Sequence, residues 1–511
     1  MKEKDGDSPG LPVRAAKRPA VSSAAPYLFL AVFIPVAYLL LSDLALSQLG
    51  LQMQKIMLFC VGAAVAVGAC LLWCGRLEER EAVAILLAIG LIMRVGVMLY
   101  TPYTVRQHDI GDIGTGGHID YIYTLARTLR LPATNNQQFY QPPFYYAVAA
   151  VVYRLAMLIR NTKDFAFNAV KLVPCFASCA TMLVSVKIFR ELKLSATALA
   201  IATAIVCLHP AFFYLAASIN NDMLAILFLA IAVLYLIRWL KRQSFKNSIL
   251  LALAIGFGMM TKMSVAIIAP VAAVVFAFVF FRRLKSHTGM ELIPKFAAFL
   301  GICVPLGLWY PLRNWFLFRQ SPGYVLLLST DQPIYMGGHS IVQRFLSLPF
   351  ATEMFARGRI FGDPARDYNI FMFLIKSSVL GEWDWSFEKL GTLAGQLVIA
   401  NMLLIAVSLI AAAYVLIRAR DKESRLKKAL FALIWLSEMA FYVEFNLSYP
   451  FGCSMDFRYI VITVIVGAAF IGMAYDHVMH RHPRLPSAAL VAMLCPLLLF
   501  TFSSVLFYTV I

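Results

Sequence analysis

Residues 82–100 read AVAILLAIGLIMRVGVMLY, and the chain continues at 101–120 as TPYTVRQHDIGDIGTGGHID. The first stretch is long and apolar enough to cross a hydrocarbon layer of about 30 Å as one helix. The second places three carboxylates, Asp109, Asp112 and Asp120, within twelve residues just beyond it, among glycines at 111, 114, 116 and 117. A span that opens into an acidic, glycine-loosened loop sets the frame for the rest of the chain.

Outward from that stretch the apolar character persists. Of 511 residues, 61% are hydrophobic and 14% charged, and the mean hydropathy is +0.76, more oil than a soluble domain can hide. Runs that read as spans fall near 27–48, 55–74, 82–100, 169–189, 196–218, 223–240, 248–262, 264–281, 296–312, 391–417, 429–445, 458–476 and 487–509. They predict an all-α polytopic membrane protein with about thirteen transmembrane helices. Disordered, collagenous, coiled-coil and disulfide-stapled classes are excluded. Eight of the nine cysteines lie inside apolar runs, as small hydrophobes do, so cysteine ligation of a metal is not expected.

The formal charge of +18 would suggest nucleic acid in a soluble protein, but here it sits in short loops. Arg76 and Arg80, Lys187 to Lys193, Arg238 to Lys246, Arg282 to Lys295 and Arg418 to Lys428 all fall on one side, which is therefore the cytoplasm. The polar stretch 1–26 reads as a cytoplasmic basic tail without the pattern of a cleavable signal peptide. Two long segments remain outside, 101–167 and 313–389, and loops of that length commonly carry binding or chemistry. The apolar run 142–160 reads as an interfacial helix, because a further crossing would send the basic segment 418–428 outside. A prokaryotic plasma membrane is the expected host. Asn446, in NLS at 446–448, matches a glycosylation sequon, a short pattern common by chance.

Several residues suit chemistry at the outer boundary. A carboxylate beside the hydrocarbon is partly desolvated, which predicts a raised basicity and a capacity to take a proton from a hydroxyl. Asp109, flanked by His108 and Gly111, fits that role; Asp120 equally fits the first turn of a helix over 119–129. Pro142 and Pro143 in FYQPPFYY (139–146) fix an extended entry to the next helix, amid belt aromatics. Asp222, in NND (220–222), stands at the outer start of a span. Lys262, in GMMTK (258–262), falls between two apolar runs and is either a buried charge awaiting a counter-charge, from a phosphate or a loop carboxylate, or a snorkelling lysine. The second long loop carries Arg313, Arg319, Arg344, Arg357, Arg359 and Arg366 with His339, and arginine forks suit phosphates. Asp456 and Arg458, in DFRY (456–459), either anchor the interface or join a site.

With HDIGD (108–112), FYQPPFYY, NND, GMMTK and DFRY in this order, the chain resembles the polytopic GT-C glycosyltransferases, in particular the branch of protein O-mannosyltransferases and lipid A aminoarabinose transferases. The resemblance covers most of 82–480. It implies a GT-C-like catalytic region there, two additional N-terminal helices over 27–81, and a final loop and helix over 481–511. It also implies inverting transfer of a sugar from a polyprenyl-phosphate donor to a hydroxyl of a protein, lipid or glycan acceptor at the outer face. On the same match Asp109 is the catalytic acid/base residue, with Asp112 as the alternative. Lys262, Arg357 and Arg359 would hold the lipid phosphate, and Asp222 would lie near the sugar. His108, Asp120, Tyr140, Gln141, His339, Asp456 and Arg458 would line the sugar or acceptor cavity. Gln141 departs from the family habit of Tyr directly before Pro-Pro. No metal ligand or cofactor is named, a divalent cation being the one open possibility, and nothing resembles a GxGxxG or P-loop cradle for a nucleotide. The competing readings are a flippase for lipid-linked sugars, disfavoured by the lack of an internal repeat, and a polymerase or ligase using a diphosphate-linked oligosaccharide.

Overall fold

The computed structural model describes residues 24–46, 50–347, 368–383, 388–418, 422–482 and 487–510. The described helices are α1 (Ala25–Leu46), α2 (Gly50–Trp73), α3 (Glu79–Tyr100), α4 (His118–Thr128), α5 (Phe144–Ile159), α6 (Lys163–Val170), α7 (Leu172–Glu191), α8 (Ala196–Leu208), α9 (Ala211–Tyr214), α10 (Asp222–Lys241), α11 (Phe245–Thr261), α12 (Ile268–Leu284), α13 (Ile293–Phe318), α14 (Ile341–Phe345), α15 (Ile370–Leu380), α16 (Glu388–Arg418), α17 (Lys422–Ser448), α18 (Ile462–Arg481) and α19 (Ser487–Val510). Each of the thirteen apolar runs is helical over most of its described residues. By length and composition ten helices qualify as spans among the described residues, or eleven with one bent pair, so the count of thirteen is not reached. α11, with 17 residues, falls just short, and of the last helix the stretch Leu494–Val510 is apolar.

Two helix groups form the core. α10 packs on α7 and α11, and α11 on α13; α18 packs on α8 and α16, and α16 on α19. α3 touches both groups through α7 and α8, while α1 and α2 lie against its outer side. Leu40, Phe59 and Leu72 on these two leading helices remain exposed, as lipid-facing side chains must.

The bent pair is α8 with the segment 211–217, turned by 52° at His209–Pro210. Pro210 has no N–H and its ring clashes with the preceding turn, so the helix stops. A helix end at membrane depth leaves carbonyls that water cannot reach. Arg94, fully buried in α3, meets them: its Nη1 donates to Cys207 O at 2.6 Å and to Gly90 O at 3.0 Å, its Nη2 to Val206 O at 2.9 Å, and its Nε to Ser178 Oγ at 2.9 Å. Phe212 and Phe213 flank the guanidinium at 5.4 Å. The same device closes α3, where buried Lys171 donates to Met98 O at 2.8 Å and also to Thr101 O. Cations at helix C-termini also complement the helix dipole. These two caps fix where the acidic loop and the segment 217–221 begin.

Asn446 is buried, its Nδ2 donating to Tyr442 O at 2.8 Å, so the sequon does not present a glycosylation acceptor in this fold.

Candidate active site

The loop between α3 and α4 folds back on itself. Asp109, Gly111, Gly114 and Gly116 all have positive φ, at 49°, 56°, 92° and 82°. Asp is among the few non-glycine residues that tolerate this region. Gly117 is required sterically, since a Cβ there would meet Ile110 O at 2.4 Å. The carbonyls of Asp109 and Ile110 accept from the amides of His118 and Ile119 at 3.3 and 3.1 Å, which closes the N-terminus of α4 with the loop itself. Asp120 is committed to this turn: its Oδ2 accepts from Gly116 N–H at 2.8 Å. Gln107 ties the loop to the segment after the bent pair, donating to Ala217 O at 3.2 Å and accepting from Ile219 N–H at 2.7 Å.

At the floor of this loop Asp109 meets Arg458. Nη2 of Arg458 donates to Asp109 Oδ2 at 3.2 Å, with the aspartate side chain 46% exposed and the arginine 5%. The aspartate therefore faces open space from within protein walls. Burial alone would raise its carboxyl, but the Arg458 guanidinium holds it below the usual carboxylate range. This corrects the expectation of raised basicity: a buried fixed cation outweighs desolvation. Arg458 also donates to Tyr459 Oη at 3.3 Å, and Lys262 Nζ lies 4.8 Å over the Tyr459 ring. Lys262 ion-pairs with Asp222, so its counter-charge is the NND aspartate rather than a loop carboxylate. The series Asp109, Arg458, Tyr459, Lys262, Asp222 thus joins four of the sequence motifs.

The fifth motif backs this series. Gln141 accepts from Asn221 Nδ2 at 3.3 Å and donates to Tyr140 Oη at 3.0 Å, while Asn221 reaches on to Thr261 O at 2.9 Å. The intervening Gln141 therefore links the Pro-Pro segment to both NND and GMMTK. Tyr146 stacks on Tyr121 at 3.9 Å and hydrogen-bonds His118 Nδ1 at 2.8 Å. Burial pushes the His118 imidazole down to about 4, so it stays neutral.

Behind Asp109 stand His108, Glu382 and Asp456. His108 Nδ1 is 3.1 Å from Glu382 Oε2 and 3.9 Å from Asp456 Oδ2. Burial and the nearby Arg458 lower His108 to about 4; burial together with Glu382 raises Asp456 to about 8, and burial raises Glu382. The Trp383 ring packs 5.0 Å from His108. Gly381 has φ of 68°, and a Cβ there would strike Trp383. Glu382 and Trp383 were not among the residues expected from sequence; the available signal is the GEW turn that ends the short apolar helix α15.

Other expected residues stand apart. Asp112 is exposed in a turn with Thr115, on a crevice of about 450 Å³ shared with Lys163 and Asp164. His339 stacks on Tyr368 at 4.4 Å instead of joining the series. Arg313 donates to Pro132 O at 2.9 Å and Arg344 to Asn446 O at 2.7 Å, so both brace loops. Arg357, Arg359 and Arg366 lie outside the described residues.

Fold and site together define a polytopic helical membrane protein with an acidic loop facing buried cations. Residues 141–309, about a third of the chain, match the family model described as dolichyl-phosphate-mannose-protein mannosyltransferase. Among solved structures, the oligosaccharyltransferase of Archaeoglobus fulgidus in its apo form is similar over 84% of this chain and 55% of its own, at 14% identity and a TM-score of 0.44. The archaeal oligosaccharyltransferase AglB of the same organism, in complex with an inhibitory peptide and a dolichol-phosphate, matches over the same shares at 12% identity and a TM-score of 0.46. ArnT from Cupriavidus metallidurans bound to undecaprenyl phosphate matches over 78% of this chain and 77% of its own, at 15% identity and a TM-score of 0.35. The chain spans about half the length of the archaeal enzymes. No curated protein matches it.

Proposed function

We propose that the protein transfers a sugar, with inversion, from a polyprenyl-phosphate donor to a hydroxyl of a protein, lipid or glycan acceptor at the outer face of a prokaryotic plasma membrane, its N-terminus being cytoplasmic. The observation that carries this reading is the open Asp109 carboxylate set against the buried Arg458, with the half-buried, Asp222-paired Lys262 beyond it. Asp109 takes the acceptor hydroxyl proton as its oxygen bonds to the anomeric carbon. The bond from that carbon to the phosphate oxygen breaks, and a lipid phosphate monoester leaves. Arg458 and Lys262 meet the charge that develops on it, and arginines of the second outer loop, Arg357 and Arg359, extend the phosphate cradle. Because Asp109 stays ionised, it suits a reaction in which leaving-group departure runs ahead of proton transfer. Asp222 positions Lys262, and Tyr140 and Gln141 line the sugar side. The region 82–480 forms the catalytic unit and α5, 16 residues long, lies along the interface.

The test is transfer by the full chain in nanodiscs from a panel of labelled polyprenyl-monophosphate sugars, native against Asp109→Asn. The variant is expected to lose at least about a hundredfold in turnover while retaining donor binding. Undiminished turnover would remove Asp109 from the mechanism. Exclusive use of a diphosphate donor would favour the ligase reading, and donor movement across vesicles without transfer would favour a flippase.

A further inference from the structure

We propose that His108, Glu382 and Asp456 form a binding site for one divalent cation of the zinc or manganese kind. The three side chains come from separate segments: the first outer loop, the turn after α15 and the stretch preceding α18. Their ligand atoms lie within 4.8 Å of one another. With metal bonds of about 2.0–2.2 Å, tetrahedral ligands sit about 3.3–3.6 Å apart. The separations of 3.1 and 3.9 Å from His108 Nδ1 bracket that range.

A second observation points the same way. Asp456 is fully buried, and its Oδ2, turned toward the imidazole, meets no donor other than the neighbouring carboxyl of Glu382; Glu382 Oε1 likewise meets no N–H donor. Buried carboxylate oxygens normally find a donor or a cation. Arg458 does not fill the gap. Its Nε is 3.7 Å from Asp456 Oδ2, beyond hydrogen-bond length, and its Nη2 serves Asp109 and Tyr459.

Charge supports the same occupant. Lys262 and Asp222 neutralise each other and Arg458 offsets Asp109, while Glu382 and Asp456, which burial holds toward the protonated form, would shed their protons to a bound cation and present two negative charges to it. One divalent cation closes that balance. An imidazole with two carboxylates favours Zn²⁺ or Mn²⁺ over Ca²⁺ and Mg²⁺, which prefer larger all-oxygen shells. Bound there, the ion would tie the residue before Asp109 to the second outer loop. The inference is independent of the glycosyl-transfer reading, since it concerns binding alone.

The experiment strips the detergent-purified full chain with a chelator, adds Zn²⁺ or Mn²⁺, removes excess by gel filtration and counts metal by mass spectrometry. The native chain and Asp112→Asn should each retain about one equivalent and melt higher with metal. Glu382→Gln and Asp456→Asn should bind at least about a hundredfold more weakly, a larger loss than that for removing an outer partner alone. Should either variant fail to fold, the visible absorption of Co²⁺ bound to the native chain reads a nitrogen and oxygen ligand set directly. Retention below one tenth of an equivalent by the native chain would overturn the proposal and leave a proton shared by the two carboxyls as the occupant. Undiminished retention by both variants would overturn it too.

Discussion

Asp109 owes its charge state to a residue 349 positions away. Arg458 holds its carboxyl low, so Asp109 is ionised across the neutral range and activity should fail only as acidification protonates it. Replacing Arg458 by Gln removes the cation and leaves burial, which raises a carboxyl. The acid limb of kcat/KM should then move to higher pH, with a loss of about a hundredfold or more at neutrality; a pH profile of donor turnover checks this, and an unmoved limb would separate the two residues. Asp109, Asp222, Lys262, Asp456 and Arg458 were legible in sequence because an ionisable group beside an apolar run is costly and stands out. Their pairings were not, since Asp222 and Lys262 are separated by 40 residues that carry no record of a fold-back. Glu382 was hidden because one glutamate between aromatics resembles an interface anchor until its neighbour, 274 residues earlier, is in place.

At the scale of elements, apolar run length located the helices well but said nothing of where one breaks. The run 196–218 reads as one span because Pro210 and His209 barely alter its hydropathy, yet the backbone turns there by 52°. The break persists because Arg94 supplies the donors that the ended helix lacks. Arg94 lay unremarked in the quoted stretch 82–100, where a single arginine does not lower the hydropathy enough to matter. Arg94→Met should strand the carbonyls of Val206 and Cys207 and cost about 2–4 kcal/mol. Thermal melting in detergent should show a lowered midpoint, with the segment 217–221 and hence Gln107 losing register. An unchanged midpoint would mean that the carbonyls are satisfied otherwise.

For the molecule as a whole, the proposed topology puts the basic loops in the cytoplasm and the cluster around Asp109 on the opposite side, as the distribution of Lys and Arg predicts. Ser286 and Asp331 are exposed on loops assigned to opposite faces. With the exposed native cysteines removed, Ser286→Cys should react with an impermeant maleimide only after the membrane is opened, and Asp331→Cys without opening. Labelling of both under the same condition would overturn the topology. Overall architecture was readable because burial in lipid imposes long apolar helices, whereas the convergence of 109, 222, 262, 382 and 458 is a property of packing and had to be seen. That convergence has a consequence for how the molecule comes into being. Asp109 leaves the ribosome early and Arg458 late, so a nascent chain halted anywhere between them holds a carboxylate without the cation that sets its charge state. The partnership is complete only once the chain has been made past residue 458, and a product truncated before it keeps an aspartate that lacks its partner.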